Sequence, residues 1–153
     1  MTDSADIEIL LVEDNPDDAE LTLRVLRERK LANRLVWVRD GADALDFVFR
    51  RGAYAGRPAR ESPRLILLDL NLPKVSGIEV LARIKSDPAT RKLPVVVLSS
   101  STHDKDVLDS YNLGVNSYVS KPVRFEEFAR VVGELGMYWL LLNCPPAPPE
   151  AGR

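Results

Sequence analysis

Residues 65–68 read LILL, an apolar run with no polar alternation, and similar short runs recur along the chain. They lie at 7–12 (IEILLV), 35–38 (LVWV), 95–98 (VVVL) and 117–120 (SYVS), the last being the most polar. A strand with one wet face alternates apolar and polar side chains, whereas strands covered on both faces do not. The runs therefore predict five short strands of a parallel sheet.

The stretches between the runs carry helical spacing. Residues 17–30 place Ala19, Leu23, Leu26 and Leu31 near one face, behind a start signal at Pro16. Residues 42–51 present Leu45, Val48 and Phe49, and residues 76–86 present Val80, Leu81 and Ile84 before Asp87-Pro88. Residues 104–113 present Val107, Leu108 and Tyr111 and stop at Gly114, and a last helix opens near Arg124. Five βα units with right-handed crossovers make a doubly wound, three-layer α/β domain the economical fold.

Each strand run ends on a polar group. The first runs into Glu13-Asp14-Asn15, the third into Asp69, the fourth into Ser99-Ser100-Ser101-Thr102 and the fifth into Lys121-Pro122. In a parallel sheet all carboxyl ends lie on one edge, where ligands bind. Taken singly these residues are ordinary. An Asp after a strand usually caps a helix, and Asp17-Asp18 suit the first helix cap better than Glu13-Asp14. Together on one edge they become a constellation of carboxylates, a hydroxyl and an ammonium. Two carboxylates about 5 Å apart repel by roughly 3 kcal/mol at an effective dielectric of 20, so the cluster requires protons or a cation. All-oxygen donors favour a hard cation such as Mg2+. Asp69 becomes a candidate nucleophile towards a phosphoryl group, with Ser99 and Lys121 as its oxygen partners.

These residues carry a family resemblance. From Ile7 to about Leu135 the chain resembles the receiver domain of bacterial two-component response regulators. The matching segments are LLVEDN (10–15), LLDLNLPKVSG (67–77), VVVLSSS (95–101) and SYVSKP (117–122). Ser99 stands 30 residues after Asp69, and Lys121 stands 22 after Ser99, which fits that family. The resemblance implies a flavodoxin-like (βα)5 sandwich with strand order 2-1-3-4-5. It implies that Asp69 is the phosphoacceptor, Asp14 a direct Mg2+ ligand, Glu13 a ligand through water and Asn71 a ligand through its backbone carbonyl. Ser99 resembles the switch hydroxyl, Tyr118 the aromatic residue that follows it, and Lys121 the phosphoryl-pairing lysine. Ser100, being small, leaves the phosphoryl path open, Asn71 and Ser101 match positions that tune phosphoryl lifetime, and Lys121-Pro122 matches a cis peptide.

Two residues depart from the commonest pattern, Ser99 replacing Thr and Glu13 replacing Asp. The segment from Asp14 to Asp69 is also lengthened by a polar loop at 51–63. That loop and the ending MYWLLLNCPP (137–146) resemble the phytochrome-associated single-domain regulators. The partner implied is a histidine kinase, of bacteriophytochrome type.

Composition sets the remaining bounds. The chain has 153 residues with a net charge of −2, which argues against a nucleic-acid surface. One cysteine, Cys144, permits no intrachain disulfide. The acidic N-terminus is unlike a signal peptide, and the run at 137–142 is far short of the roughly 20 residues of a membrane helix. A cytoplasmic protein without membrane contact is expected. The chain divides into a flexible 1–6, a receiver domain at 7–136, a helical extension at 137–144 and a disordered Pro-rich tail at 145–153. Phe128, Val132, Leu135, Trp139 and Leu142 share a helical face, and Trp139 to Leu142 predict an exposed patch covered in a homodimer.

No enzymatic turnover beyond self-phosphotransfer and autodephosphorylation is expected. The alternatives are a phosphorylation-independent scaffold and a phosphatase of the haloacid dehalogenase type. The phosphatase pattern wants an acidic residue where Asn71 stands, and its acidic pair follows the lysine rather than preceding it.

Overall fold

The computed structural model describes residues 9–31, 34–58, 62–101, 103–144 and 146. Five strands alternate with five helices: β1 (Ile9–Val12), α1 (Pro16–Glu28), β2 (Leu35–Val38), α2 (Gly41–Val48), β3 (Leu65–Leu68), α3 (Gly77–Ser86), β4 (Val95–Ser99), α4 (Asp104–Asn112), β5 (Ser117–Ser120) and α5 (Phe125–Met137). All pairings are parallel, in the order β2-β1-β3-β4-β5. Residues 1–6, Ile7 of the first apolar run and most of the Pro-rich tail lie outside the described residues.

The absence of alternation in β1, β3 and β4 has its expected cause, since all their residues are buried. Successive side chains feed two separate cores. Leu10, Val12, Ile66, Leu68, Val95 and Val97 pack with α2 and α3. Ile9, Leu11, Leu65, Leu67, Val96 and Leu98 pack with α1 and α5. β2 and β5 lie at the edges and are only partly covered.

Several local expectations need correction. The cap of α1 is Asn15, whose side chain accepts from Asp17 N and Asp18 N, so Asp17 and Asp18 lie inside the first turn. α1 and α2 stop short of the expected residues 30 and 51. Each closes with a backbone reversal at a non-glycine residue, Lys30 (φ 57°) and Arg50 (φ 55°). The α4 apolar face is not core: Leu108 and Tyr111 are 61% and 53% exposed, and only Ser110 is buried.

The C-terminal face also changes register. Phe128 and Val132 are buried, but after Met137 the chain makes a wider π-helical turn, Tyr138–Leu142. That turn places Leu140 in the core beside Trp139 and leaves Leu142 74% exposed. In the loop after α2 the Arg57 guanidinium lies over the Phe47 ring and donates to Phe47 O at 2.7 Å.

Candidate functional site at the carboxyl edge of the sheet

The site starts where β1, β3, β4 and β5 run out together. Asp69 follows β3 directly, and its N–H still donates to Val12 O at 3.0 Å, so the parallel ladder carries it to the edge. α3 then begins almost on top of it. A Cβ on Gly77 would lie 2.4 Å from Asp69 O and 2.5 Å from Leu70 Cα, a distance no side chain tolerates. Glycine at 77 is therefore what lets the helix and the strand end come this close. Gly41 serves the neighbouring contact, where a Cβ would overlap the Val75 backbone.

Three carboxylates meet on one ammonium. Lys121 Nζ donates to Glu13 Oε1 at 3.0 Å, Asp18 Oδ2 at 3.0 Å and Asp69 Oδ2 at 3.1 Å. Glu13 and Asp69 are buried. Their second oxygens are also occupied, Glu13 Oε2 by Asn15 N and Asp69 Oδ1 by Asn71 N. Burial pushes the Glu13 carboxyl up to about 7; Lys121 opposes this and Asp69 adds to it. Burial alone would lower the Lys121 ammonium, but Glu13 and Asp69 outweigh it and hold the group above its ordinary value.

The hydroxyl side is arranged through the β4–α4 loop. Ser99 is fully buried, and its Oγ accepts from Ser101 N at 3.1 Å. Ser101 Oγ donates to Asp106 Oδ2 at 2.5 Å, and Tyr118 Oη donates to Ser101 O at 2.8 Å. Ser100 is exposed. The structure thus brings Glu13, Asp69 and Lys121 into direct contact and links Ser99, Ser101 and Tyr118 in a second, adjoining group. Asp14 is exposed and makes no hydrogen bond or ion pair among the described residues, so Glu13 is the inward-facing member of the acidic pair. The Lys121–Pro122 bond, expected cis, is trans, since no peptide bond among the described residues is cis. An X-Pro amide keeps a trans preference of about 0.5–1 kcal/mol, which prevails here. Trp139 and Leu142 lie away from this edge, at the end of α5.

Two contributors escaped the sequence reading. Asp18 looked like helix-cap chemistry, but the three-residue β1–α1 turn places the first turn of α1 above the same edge. Trp37 pairs with Leu11 in the β2–β1 register, and its indole Nε1 donates to Glu13 O at 2.8 Å. Nothing in the strand pattern marks that bond.

The donor set suits a hard divalent cation: it is all oxygen, and its carboxylates outnumber the single ammonium. As they stand, no three His, Cys, Asp or Glu side chains among the described residues are placed to hold a metal, because Lys121 stands between them.

A parallel five-stranded sheet of this order, with an Asp, a Glu and a Lys converging at its carboxyl edge, matches the response regulator receiver domain over residues 9–132, and the chain belongs to that family. FilR2 of Methanothrix harundinacea, a probable methanogenesis regulatory protein, is 45% identical over 92% of this chain and 88% of its own. Response regulator Rcp1 of Synechocystis is 42% identical over 91% of this chain and 92% of its own. The crystal structures of Mn2+-bound Rcp1 and of the phosphorylated cyanobacterial phytochrome response regulator RcpA each superpose with a TM-score of 0.86. Each is 41% identical, covering 92% of this chain and 99% of theirs. Among the described residues no helix is long and apolar enough to cross a membrane.

Proposed function

We propose that this chain is a single-domain response regulator that accepts a phosphoryl group on Asp69 from a partner histidine kinase, of phytochrome type. The observation that carries this reading is the convergence of Asp69 and Glu13 on Lys121 Nζ at 3.1 and 3.0 Å. A carboxylate at the end of a buried strand is placed with its charge held ready, and the ammonium sits where a transferred group needs neutralising. The likeness to phosphorylated RcpA supports the same chemistry here.

An Asp69 carboxylate oxygen attacks phosphorus as the phosphohistidine P–N bond breaks, and the bonding pair returns to the imidazole nitrogen. The product is an acyl phosphate. Lys121 pairs with a phosphoryl oxygen and Ser99 Oγ donates to another, leaving Ser101 N. A bound Mg2+ would be held by Glu13, Asp14, Asp69 and the Asn71 carbonyl, and supplies positive charge for carboxylate and phosphoryl oxygens. The likeness to Mn2+-bound Rcp1 supports such a group. Exposed Ser100 leaves the approach open, and Asn71 and Ser101 occupy the positions that tune phosphoryl lifetime in the family.

Drawing Ser99 inward shifts the Ser101 backbone, and Tyr118 follows through its bond to Ser101 O. The change is displayed on α4, whose Leu108 and Tyr111 stand exposed for a partner. The exposed end of the chain, with Leu141 and Leu142, serves a homodimer contact.

Incubation with acetyl phosphate and Mg2+ should label the wild-type protein and leave Asp69→Asn unlabelled on phosphate-affinity gels. Equal labelling of the two would exclude Asp69 as the acceptor.

A further inference from the structure

We propose that Asp18 is a positioning residue that restrains Lys121 in the resting protein and must release it before a phosphoryl group is captured. This rests on the reading of Asp69 as phosphoacceptor. An ammonium has three N–H donors, and Lys121 has all three committed, to Glu13, Asp18 and Asp69. A phosphoryl oxygen can be paired only if one carboxylate lets go.

The three are not equally able to do so. Glu13 is enclosed, with its side chain 5% exposed and its other oxygen tied to Asn15 N. Asp69 is 10% exposed and is itself the reacting group. Asp18 is 28% exposed, and among the described residues its carboxylate makes no other hydrogen bond. Losing the ammonium leaves Glu13 a buried, unpaired charge, whereas Asp18 can turn to water. Asp18 also lines the open groove between α1 and the loop holding Pro122 and Val123. Its release therefore needs no rearrangement of the core.

The same geometry assigns a sign to its removal. Asp18→Asn frees one Lys121 N–H for the incoming phosphoryl oxygen, and the labelling rate rises. A residue that merely tied α1 to the β5–α5 loop would, when removed, leave the labelling rate unchanged or lower it.

The test is the initial rate of labelling by acetyl phosphate at saturating Mg2+, for wild type, Asp18→Asn, Lys121→Met, the double variant and Asp69→Asn, each shown to be folded by circular dichroism. Asp18→Asn is expected to label about fivefold faster, the effect of losing one partly screened ion pair. The gain should vanish when Lys121 is absent, so that Lys121→Met and the double variant label alike. A rate at or below wild type overturns the proposal, as does an acceleration that persists without Lys121. If Asp69→Asn is inert while Asp18→Asn is no faster, only the role of Asp18 falls. If Asp69→Asn labels like wild type, the phosphoacceptor reading falls and takes this one with it.

Discussion

Glu13 shows how one residue is held at a cost that the site needs. Its carboxyl is buried, accepts from Lys121 and Asn15, and has its backbone carbonyl pinned by the Trp37 indole. Burial raises it from 4.5 to about 7, so the folded protein binds more protons than the unfolded chain between those values. Stability therefore falls as pH rises through that window, by an amount of order 2 kcal/mol. In EDTA, chemical unfolding should show the wild type less stable at pH 8 than at pH 5, and Glu13→Gln should flatten that slope. A slope that is unchanged in Glu13→Gln would show that another group titrates there. At this scale the sequence was informative where residue type alone carries the chemistry. Asp69, Ser99 and Lys121 follow directly from strand ends on one edge. It was uninformative where a bond depends on which side of an element faces in. Asp18 looked like a cap residue, and the β1–α1 turn instead brings its carboxylate to Lys121, while Asn15 makes the cap.

Elements were legible wherever a strand is buried on both faces, because a run such as LILL admits no other parallel-sheet reading. Helix ends were legible only where glycine marks them. α4 closes at Gly114 (φ 99°), as the sequence indicates, whereas α1 and α2 close at Lys30 and Arg50, which carry no such mark. The glycines of α5 mark close contacts with α1. A Cβ at Gly136 would lie 2.6 Å from Leu26 Cδ2, inside the α1–α5 contact, and one at Gly133 would lie 2.4 Å from the Arg29 guanidinium. Leu26 is buried and cannot yield, but the Arg29 side chain is exposed and can swing away. Gly136→Ala should therefore lose about 1–3 kcal/mol through overpacking. Gly133→Ala should gain up to about 1 kcal/mol from helix propensity. Thermal melting of the two variants checks the order, and a reversal would contradict the assigned helix packing.

For the whole molecule, the sheet order and the single functional edge follow from five βα units, but the surface does not follow from periodicity. The α4 face has helical spacing yet stays exposed, since spacing reports amphipathicity and not what covers the apolar side. The π-helical turn after α5 likewise sends Leu140 inward and Leu142 outward, where a regular helical wheel puts Leu142 on the face of Phe128 and Val132. The outward residues Met137, Tyr138, Leu141 and Leu142 suit a second copy of the chain. Truncation after residue 136 would remove buried Leu140 as well, so paired substitution of Leu141 and Leu142 by Glu isolates the surface. Sedimentation at micromolar concentration should then show a dimer for the wild type and a monomer for the variant. An unchanged mass would remove the patch from the interface.

The functional account rests on Asp69 forming an acyl phosphate. Reducing the labelled protein with borohydride converts such an aspartyl phosphate to homoserine, and peptide mass spectrometry then reads its position. The predicted result is homoserine at 69 and at no other acidic residue. Homoserine at 13, 14 or 18, or labelled protein without any, would contradict it.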